Sequence, residues 1–222
     1  MDIVCSDLEG IFTPEIWINF AEITGIEELR LTTRDISDYN VLMRRRLAIL
    51  DENNLKLVDI QAVIAKMEPL EGAMELLDWL RSMVQVIIVS DTYVEFAGPL
   101  MEKLGRPTLF CNTLSIAADG SISGYNLRQP DGKKKVALAL KTLNYEVIAI
   151  GDSYNDITML KAADHAILYR PPQNVEKEFA EIPAVFSYTE LKQRILELIE
   201  QKKNDALQMT MDKLKKHSDY KI

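Results

Sequence analysis

Residues 3–11 read Ile3-Val4-Cys5-Ser6-Asp7-Leu8-Glu9-Gly10-Ile11, an apolar run that ends in two carboxylates and a glycine. Continuous apolar character marks a strand buried on both faces, as in a parallel sheet. The pattern recurs twice. Val84 to Val89 runs into Ser90-Asp91-Thr92, and Val147 to Ile150 runs into Gly151-Asp152-Ser153-Tyr154-Asn155-Asp156. Apolar residues recur at helical spacing over Ala73 to Arg81, Val94 to Leu104, Lys134 to Leu143 and Asp156 to Ala163. Strands alternating with helices predict a doubly wound α/β fold with its ligand site beyond the C-terminal strand ends. The three acidic strand ends would then meet in one crevice.

The stretch from Thr13 to Glu68 breaks this alternation. Helical patterns cover Glu15 to Thr24, Val41 to Asn53 and Leu57 to Lys66 with no strand between them, which predicts a helical insertion after the first strand. Leu114 to Leu127 has β-like residues on either side of Asp119-Gly120-Ser121, a turn that favours a hairpin. From Thr189 the chain is rich in Leu, Ile, Glu and Lys and thins into a polar tail, either a helix on a neighbour or a frayed extension. The expected division is a catalytic core from 1–12 and 69–200, a helical cap from 13–68 and a C-terminal tail from 201–222.

With 222 residues and a formal charge of −8, the chain is long enough for a full core and would on average repel nucleic acid and anionic membranes. Neither is expected as a partner. The two cysteines, one inside an apolar strand, and the acidic Met1-Asp2-Ile3 start point to a reducing, cytoplasmic setting. No apolar run approaches the roughly 18 residues that a membrane span needs. Two histidines argue against a His-rich metal site, so chemistry must rest on carboxylates, hydroxyls and lysine.

In order along the chain, Asp7-Leu8-Glu9-Gly10, Ser90-Asp91-Thr92, the lysine run 133–135 and Gly151-Asp152-x-x-Asn155-Asp156 resemble the haloacid dehalogenase-like (HAD) superfamily of aspartate-dependent phosphatases. The resemblance implies a Rossmann-like α/β core with a parallel sheet flanked by helices, plus a small helical cap inserted after the first strand. It implies Mg²⁺ held by Asp7, Asp152 and the backbone carbonyl of Glu9, with Asp156 supporting the site from behind. Two carboxylates with room for waters and a phosphoryl oxygen suit the octahedral demands of Mg²⁺. Asp7 would attack phosphorus to form an aspartyl-phosphate, and Glu9 would protonate the leaving oxygen and later activate water. The superfamily usually has aspartate where this chain has Glu9, one methylene longer. Ser90 and the Asp91–Thr92 backbone would hold phosphoryl oxygens, although Ser90 also reads as a helix N-cap. Lys133 is the preferred charge-neutralising lysine, with Lys134 and Lys135 as alternatives. Asn155 would donate to the substrate.

On residues alone, Glu15 reads as a first-turn helix acid and Arg44, Arg45 and Arg46 as a solvated basic run. Pro14-Glu15-Ile16-Trp17-Ile18 and the Arg34-Asp35-Ile36 segment nevertheless resemble, together with the motifs above, the bacterial bifunctional phosphoserine phosphatase/homoserine phosphotransferase group, including its Glu9 departure. In that group the residues matching Glu15, Arg46, Ser90, Asp91, Lys133 and Asn155 contact substrate. The expected substrate is a small phosphorylated amino acid, O-phospho-L-serine, with transfer to L-homoserine as a second fate, and the expected assembly is a homodimer. The alternatives are a phosphatase for another small ester, of the methionine-salvage type, and a receiver-like phospho-accepting module.

Overall fold

The computed structural model describes residues 1–33, 35–36 and 38–218, those at 205–207 and 209–218 by their backbone alone. Arg34, part of one motif above, and the last residues of the tail lie outside the described residues. Seven strands form one sheet in the order β4-β3-β2-β1-β5-β6-β7, parallel except for the β3–β4 hairpin. The strands are β1 (Asp2–Ser6), β2 (Gln85–Tyr93), β3 (Leu109–Ile116), β4 (Ile122–Asn126), β5 (Glu146–Gly151), β6 (His165–Tyr169) and β7 (Ala184–Val185). β1 lies at the centre, with Ser6 level with Ile88 of β2 and Ile150 of β5. That register brings Asp7, Ser90 and Asp152 to one rim of the sheet.

Both faces of the sheet are buried, as the continuous apolar runs require. Val4, Ile88, Ile148 and Ile150 pack into one layer, while Ile3, Cys5, Val89, Val147 and Ala149 pack into the other. The helices that cover them include α4 (Ala73–Met83), α5 (Val94–Lys103), α6 (Gly132–Thr142), α7 (Ile157–Ala162), α8 (Gln173–Glu178) and α9 (Tyr188–Ser218). On α6 the buried side chains are Lys133, Val136, Ala137 and Leu140, the i, i+3, i+4, i+7 stripe of an amphipathic helix, and its first member is a lysine.

Among the described residues, three helices lie between β1 and α4: α1 (Ile16–Thr24), α2 (Tyr39–Glu52) and α3 (Leu57–Ile64), with a short 3-10 turn at Glu27–Arg30. α2 is capped by Asp38, whose carboxylate accepts from the backbone N–H groups of Asn40 and Val41. These helices share an apolar layer with the core through Trp17, Phe20, Phe96 and Leu100, and Trp17 meets Phe96 edge-on at 5.7 Å. Polar ties add direction: Gln61 donates to the Glu95 carbonyl at 2.8 Å, and the Lys103 ammonium reaches the Met67 carbonyl at 2.7 Å. Burying each large apolar side chain contributes roughly 1.5–3 kcal/mol, so the shared layer rather than these ties holds the insertion down.

One strand differs from the sequence reading, and the C-terminal segment takes one of its two readings. β2 continues to Tyr93 instead of stopping at Val89, so Ser90, Asp91 and Thr92 lie within a strand whose register against β3 shifts there. The helix that starts near residue 188 runs unbroken to Ser218, the helical one of the two readings of the C-terminal segment. Its Lys202 ammonium pairs with Asp2 and, at 2.6 Å, with Glu146, pinning the helix to the lower edge of β1 and β5.

The Lys202 hydrogen bond holds the Glu146 carboxyl below its ordinary range. A carboxyl with a depressed folded-state pKa adds stability above its unfolded pKa and loses it as pH falls through the folded value. Lys202→Met is therefore expected to lower the melting temperature by about 2 °C at pH 7, because the pair is partly solvated and worth no more than ~1 kcal/mol. The gap between variant and wild type should narrow as pH falls below the ordinary glutamate range and through the depressed folded-state value. Thermal melts of both proteins across pH check this, and a gap that does not narrow in acid contradicts it.

Candidate active site

The loop after β1 turns sharply. Gly10 has φ of +78°, its N–H donates to the Thr13 carbonyl at 2.8 Å, and a Cβ there would stand 2.3 Å from the Asp152 carboxylate. A side chain at residue 10 would thus displace an acid, which explains the glycine after the acidic pair. Asp7 and Glu9 line the same pocket even though β1 ends at Ser6. This turn brings the two acids together.

Asp7 is buried and fixed: its N–H donates to the Ile150 carbonyl, and its Oδ1 accepts from Leu8 N at 2.8 Å and from the Lys133 ammonium at 2.9 Å. Lys133 also reaches Asp156 Oδ1 at 2.8 Å and Asp91 Oδ2 at 3.7 Å. Burial works against that ammonium, but Asp156, Asp7 and Asp91 outweigh it and hold its pKa well above the usual lysine value. The other lysines of the run point elsewhere, Lys134 toward Asp131 at 3.9 Å and Lys135 into solvent.

Asp156 is fully buried, and its second oxygen accepts from Asp152 N at 2.9 Å and Ser153 N at 3.1 Å. Gly151 permits this fold-back, since a Cβ there would stand 2.3 Å from the Asp156 Cβ. Asp7, Asp152 and Asp156 each place a carboxylate oxygen within 4.8 Å of the others. Asp156 is committed to Lys133 and the two amides, while Asp7 lines the catalytic pocket and the Asp152 carboxylate lies against Gly10. Burial and the neighbouring acids Asp156 and Asp152 push Asp7 well above the ordinary carboxylate range, against the pull of Lys133. Burial and Asp156 push Asp152 up to about 7. Hard oxygen donors that resist ionisation together are a suitable seat for a divalent metal ion, whose charge would reverse that resistance.

Glu9 turns away from this cluster: its carboxyl accepts from Ile16 N at 2.9 Å at the start of α1 and lies against Glu15. Burial and Glu15 raise its pKa to about 8, so it holds a proton at neutral pH. Arg46 is buried on α2, stacked 4.4 Å over Trp17, and donates to the Leu31 carbonyl at 2.8 Å. Its Nε is buried without a hydrogen-bond partner, and burial lowers its pKa to about 10. The solvated-run reading fits neither its burial nor its place in the pocket.

Ser90 is buried, and its Oγ accepts from Thr92 N at 3.1 Å. It is not the cap of α5, which begins after Tyr93, and the Thr92 amide expected to face substrate is already engaged. The Ser90 hydroxyl proton remains available. Asn155 donates to Asp91 Oδ2 at 3.1 Å and accepts from Ser153 Oγ at 2.5 Å. Asp7, Glu9, Glu15, Arg46, Ser90, Asp91, Lys133 and Asn155 all line one cavity of about 90 Å³. Trp17, Tyr39 and Tyr93 join it without having been singled out. Tyr39 and Arg46 are seven residues apart on one helix and so share a face, a spacing that would have flagged the tyrosine.

A family model for the haloacid dehalogenase-like hydrolases matches residues 10–164, well over half of the chain. The chain belongs to the haloacid dehalogenase-like hydrolases. It is 57% identical over 196 residues to phosphoserine phosphatase ThrH of Pseudomonas aeruginosa, covering 88% of this chain and 96% of that one. It is 56% identical over 196 residues to a phosphoserine phosphatase of Pseudomonas syringae pv. tomato, covering 88% and 83%. The fold of this hydrolase also matches a crystal structure of phosphoserine phosphatase in apo form, with a TM-score of 0.69 and 23% identity over 84% of this chain and 94% of that one. As a member of this family the protein is an enzyme of the phosphatase type. Among the described residues no helix is long and apolar enough to cross a membrane.

Proposed function

We propose that the enzyme hydrolyses O-phospho-L-serine in a Mg²⁺-dependent reaction through a phosphoryl group carried on Asp7, and that L-homoserine can take that group in place of water. The observation that carries this reading is the small pocket in which Arg46, with a free Nε, and Glu15 share the cavity of Asp7. A guanidinium suits the amino acid's carboxylate, and a carboxylate suits its ammonium. The relatives named phosphoserine phosphatase support the same substrate.

Asp7 attacks phosphorus and the bond to the serine oxygen breaks. Glu9, protonated at neutral pH, gives its proton to that oxygen. Serine leaves, and Glu9, now a carboxylate, takes a proton from water as it attacks the aspartyl-phosphate. Ser90 and Asn155 orient the phosphoryl oxygens, and Lys133 offsets charge on Asp7 and the phosphoryl group. Mg²⁺, for which Asp7, Asp152 and the Glu9 carbonyl are the proposed ligands, supplies further positive charge against the repulsion between nucleophile and phosphate. The helical segment 13–68 acts as the cap that excludes bulk water. Homoserine carries the same ammonium and carboxylate as serine, so it fits the pocket that serine vacates.

Kinetics of an Arg46→Ala enzyme test the substrate. KM for phosphoserine should rise about 100-fold, the loss of a charge-assisted contact, while that for p-nitrophenyl phosphate changes little. Equal effects on both esters would remove the amino-acid reading. Supplying homoserine in the same assay should divert phosphoryl groups into phosphohomoserine at the expense of free phosphate, and its absence from the products would restrict the enzyme to hydrolysis.

A further inference from the structure

β2 carries a bulge where it reaches the site. Val89 pairs with Phe110 and Tyr93 with Asn112, so Ser90, Asp91 and Thr92 stand opposite Cys111 alone. Extra residues of this kind re-aim side chains and leave backbone groups outside the ladder. Two side chains take up the Asp91 carbonyl instead. Asn112 donates its amide N–H at 3.1 Å and Tyr39 its hydroxyl at 3.2 Å, the latter bonded in turn to the Tyr93 hydroxyl at 2.6 Å. That carbonyl and the Thr92 N–H are the two ends of one peptide group. The N–H end donates to Ser90 Oγ at 3.1 Å, which leaves the Ser90 proton to point elsewhere. Whatever orients this peptide therefore orients the Ser90 hydroxyl.

Asn112 is buried on β3, and each end of its amide has a partner. Its oxygen accepts from Arg128 N at 3.0 Å, in the segment that runs on into α6 and Lys133. On one side is a carbonyl that needs a donor and on the other an N–H that needs an acceptor, a pairing that asparagine satisfies and aspartate or alanine cannot. One side chain thus ties the bulge bearing Ser90 and Asp91 to the approach to Lys133, whose ammonium lies 3.7 Å from the Asp91 carboxylate. We propose that Asn112 is a positioning residue for phosphoryl transfer: by fixing the Asp91–Thr92 peptide it holds the Ser90 hydroxyl in place for the phosphoryl group. The inference rests on the role proposed for Ser90 but not on serine as the substrate.

Asn112→Asp isolates the donor, because it keeps an acceptor for Arg128 N but sets a carboxylate oxygen against the Asp91 carbonyl. Its kcat should fall at least about tenfold, part of the roughly 100-fold that a displacement of about 1 Å can cost, while KM changes little. The loss should be the same for phosphoserine and p-nitrophenyl phosphate, since both present one phosphoryl group. Asn112→Ala should lose as much, and if it does not fold, Asn112→Asp, which keeps one of the two bonds, decides. In a Ser90→Ala background Asn112→Asp should cost little more, because the hydroxyl it positions is gone. Variants that melt earlier but keep the wild-type kcat while folded mark a merely structural asparagine and overturn the proposal, as does a loss that simply multiplies with that of Ser90→Ala. A Ser90→Ala enzyme at the wild-type rate removes the role of Ser90 and the proposal with it. A slow Ser90→Ala beside an unimpaired Asn112→Asp removes the proposal alone.

Discussion

Asp7→Asn is expected to reduce phosphate release from phosphoserine by at least about 10⁴-fold, the size of loss typical when a nucleophile is removed from a preorganised site. The amide is the same size as the carboxylate but is no nucleophile toward phosphorus. Stability should change little. The substitution removes the 2.9 Å pair with Lys133 but also relieves the repulsion from Asp156 and Asp152 that raises the Asp7 pKa. A folded, inactive protein is therefore the expected outcome. Acid-quenched reactions with labelled phosphoserine should trap label on the wild-type protein and none on the variant. Release at the wild-type rate by Asp7→Asn would refute the nucleophile assignment.

Lys133→Met carries the largest expected effect on stability. Its ammonium is the shared partner of Asp7, Asp156 and Asp91, and both it and Asp156 are buried. Breaking a buried pair by removing one partner leaves uncompensated charge and costs about 3–5 kcal/mol. In denaturant the midpoint should fall accordingly, and added Mg²⁺ should recover part of the loss because it supplies charge to the same acids. Activity should drop about 100- to 1,000-fold, as when one electrostatic stabiliser of a transition state is lost. Lys134→Met and Lys135→Met serve as controls and should stay within about 0.5 kcal/mol of wild type. A Lys133→Met protein that unfolds like wild type would contradict the central place given to this lysine.

Much of the frame was readable because the core strands are buried on both faces, and full burial leaves continuous apolar runs that end in acids and glycines. β6 was missed for a complementary reason: His165-Ala166-Ile167-Leu168-Tyr169 is too short an apolar run to separate strand from buried helix. β7, with two residues, leaves no pattern at all. The choice of Lys133 among three lysines was in fact encoded, since only Lys133 falls on the buried stripe with Val136, Ala137 and Leu140. Arg46 was harder. Local sequence places it in a run of three arginines, and what separates it from Arg44 and Arg45 is the indole of Trp17, contributed by another helix.

By itself, the sequence determined that acids would end neighbouring parallel strands, because apolar runs and glycine-dependent turns are properties of a few consecutive residues. It also determined the glycine at 151, required by Asp156 folding back on its own loop, whereas the acid that Gly10 clears, Asp152, comes from a distant loop. Tertiary structure alone decided the raised pKa of Glu9, the free Nε of Arg46 and the Tyr39–Tyr93 hydrogen bond. Each of these depends on desolvation and on partners far away in the chain, such as the 54 residues that separate the two tyrosines. Electrostatics and hydrogen bonding act through space, so they exist only once the chain has closed around them.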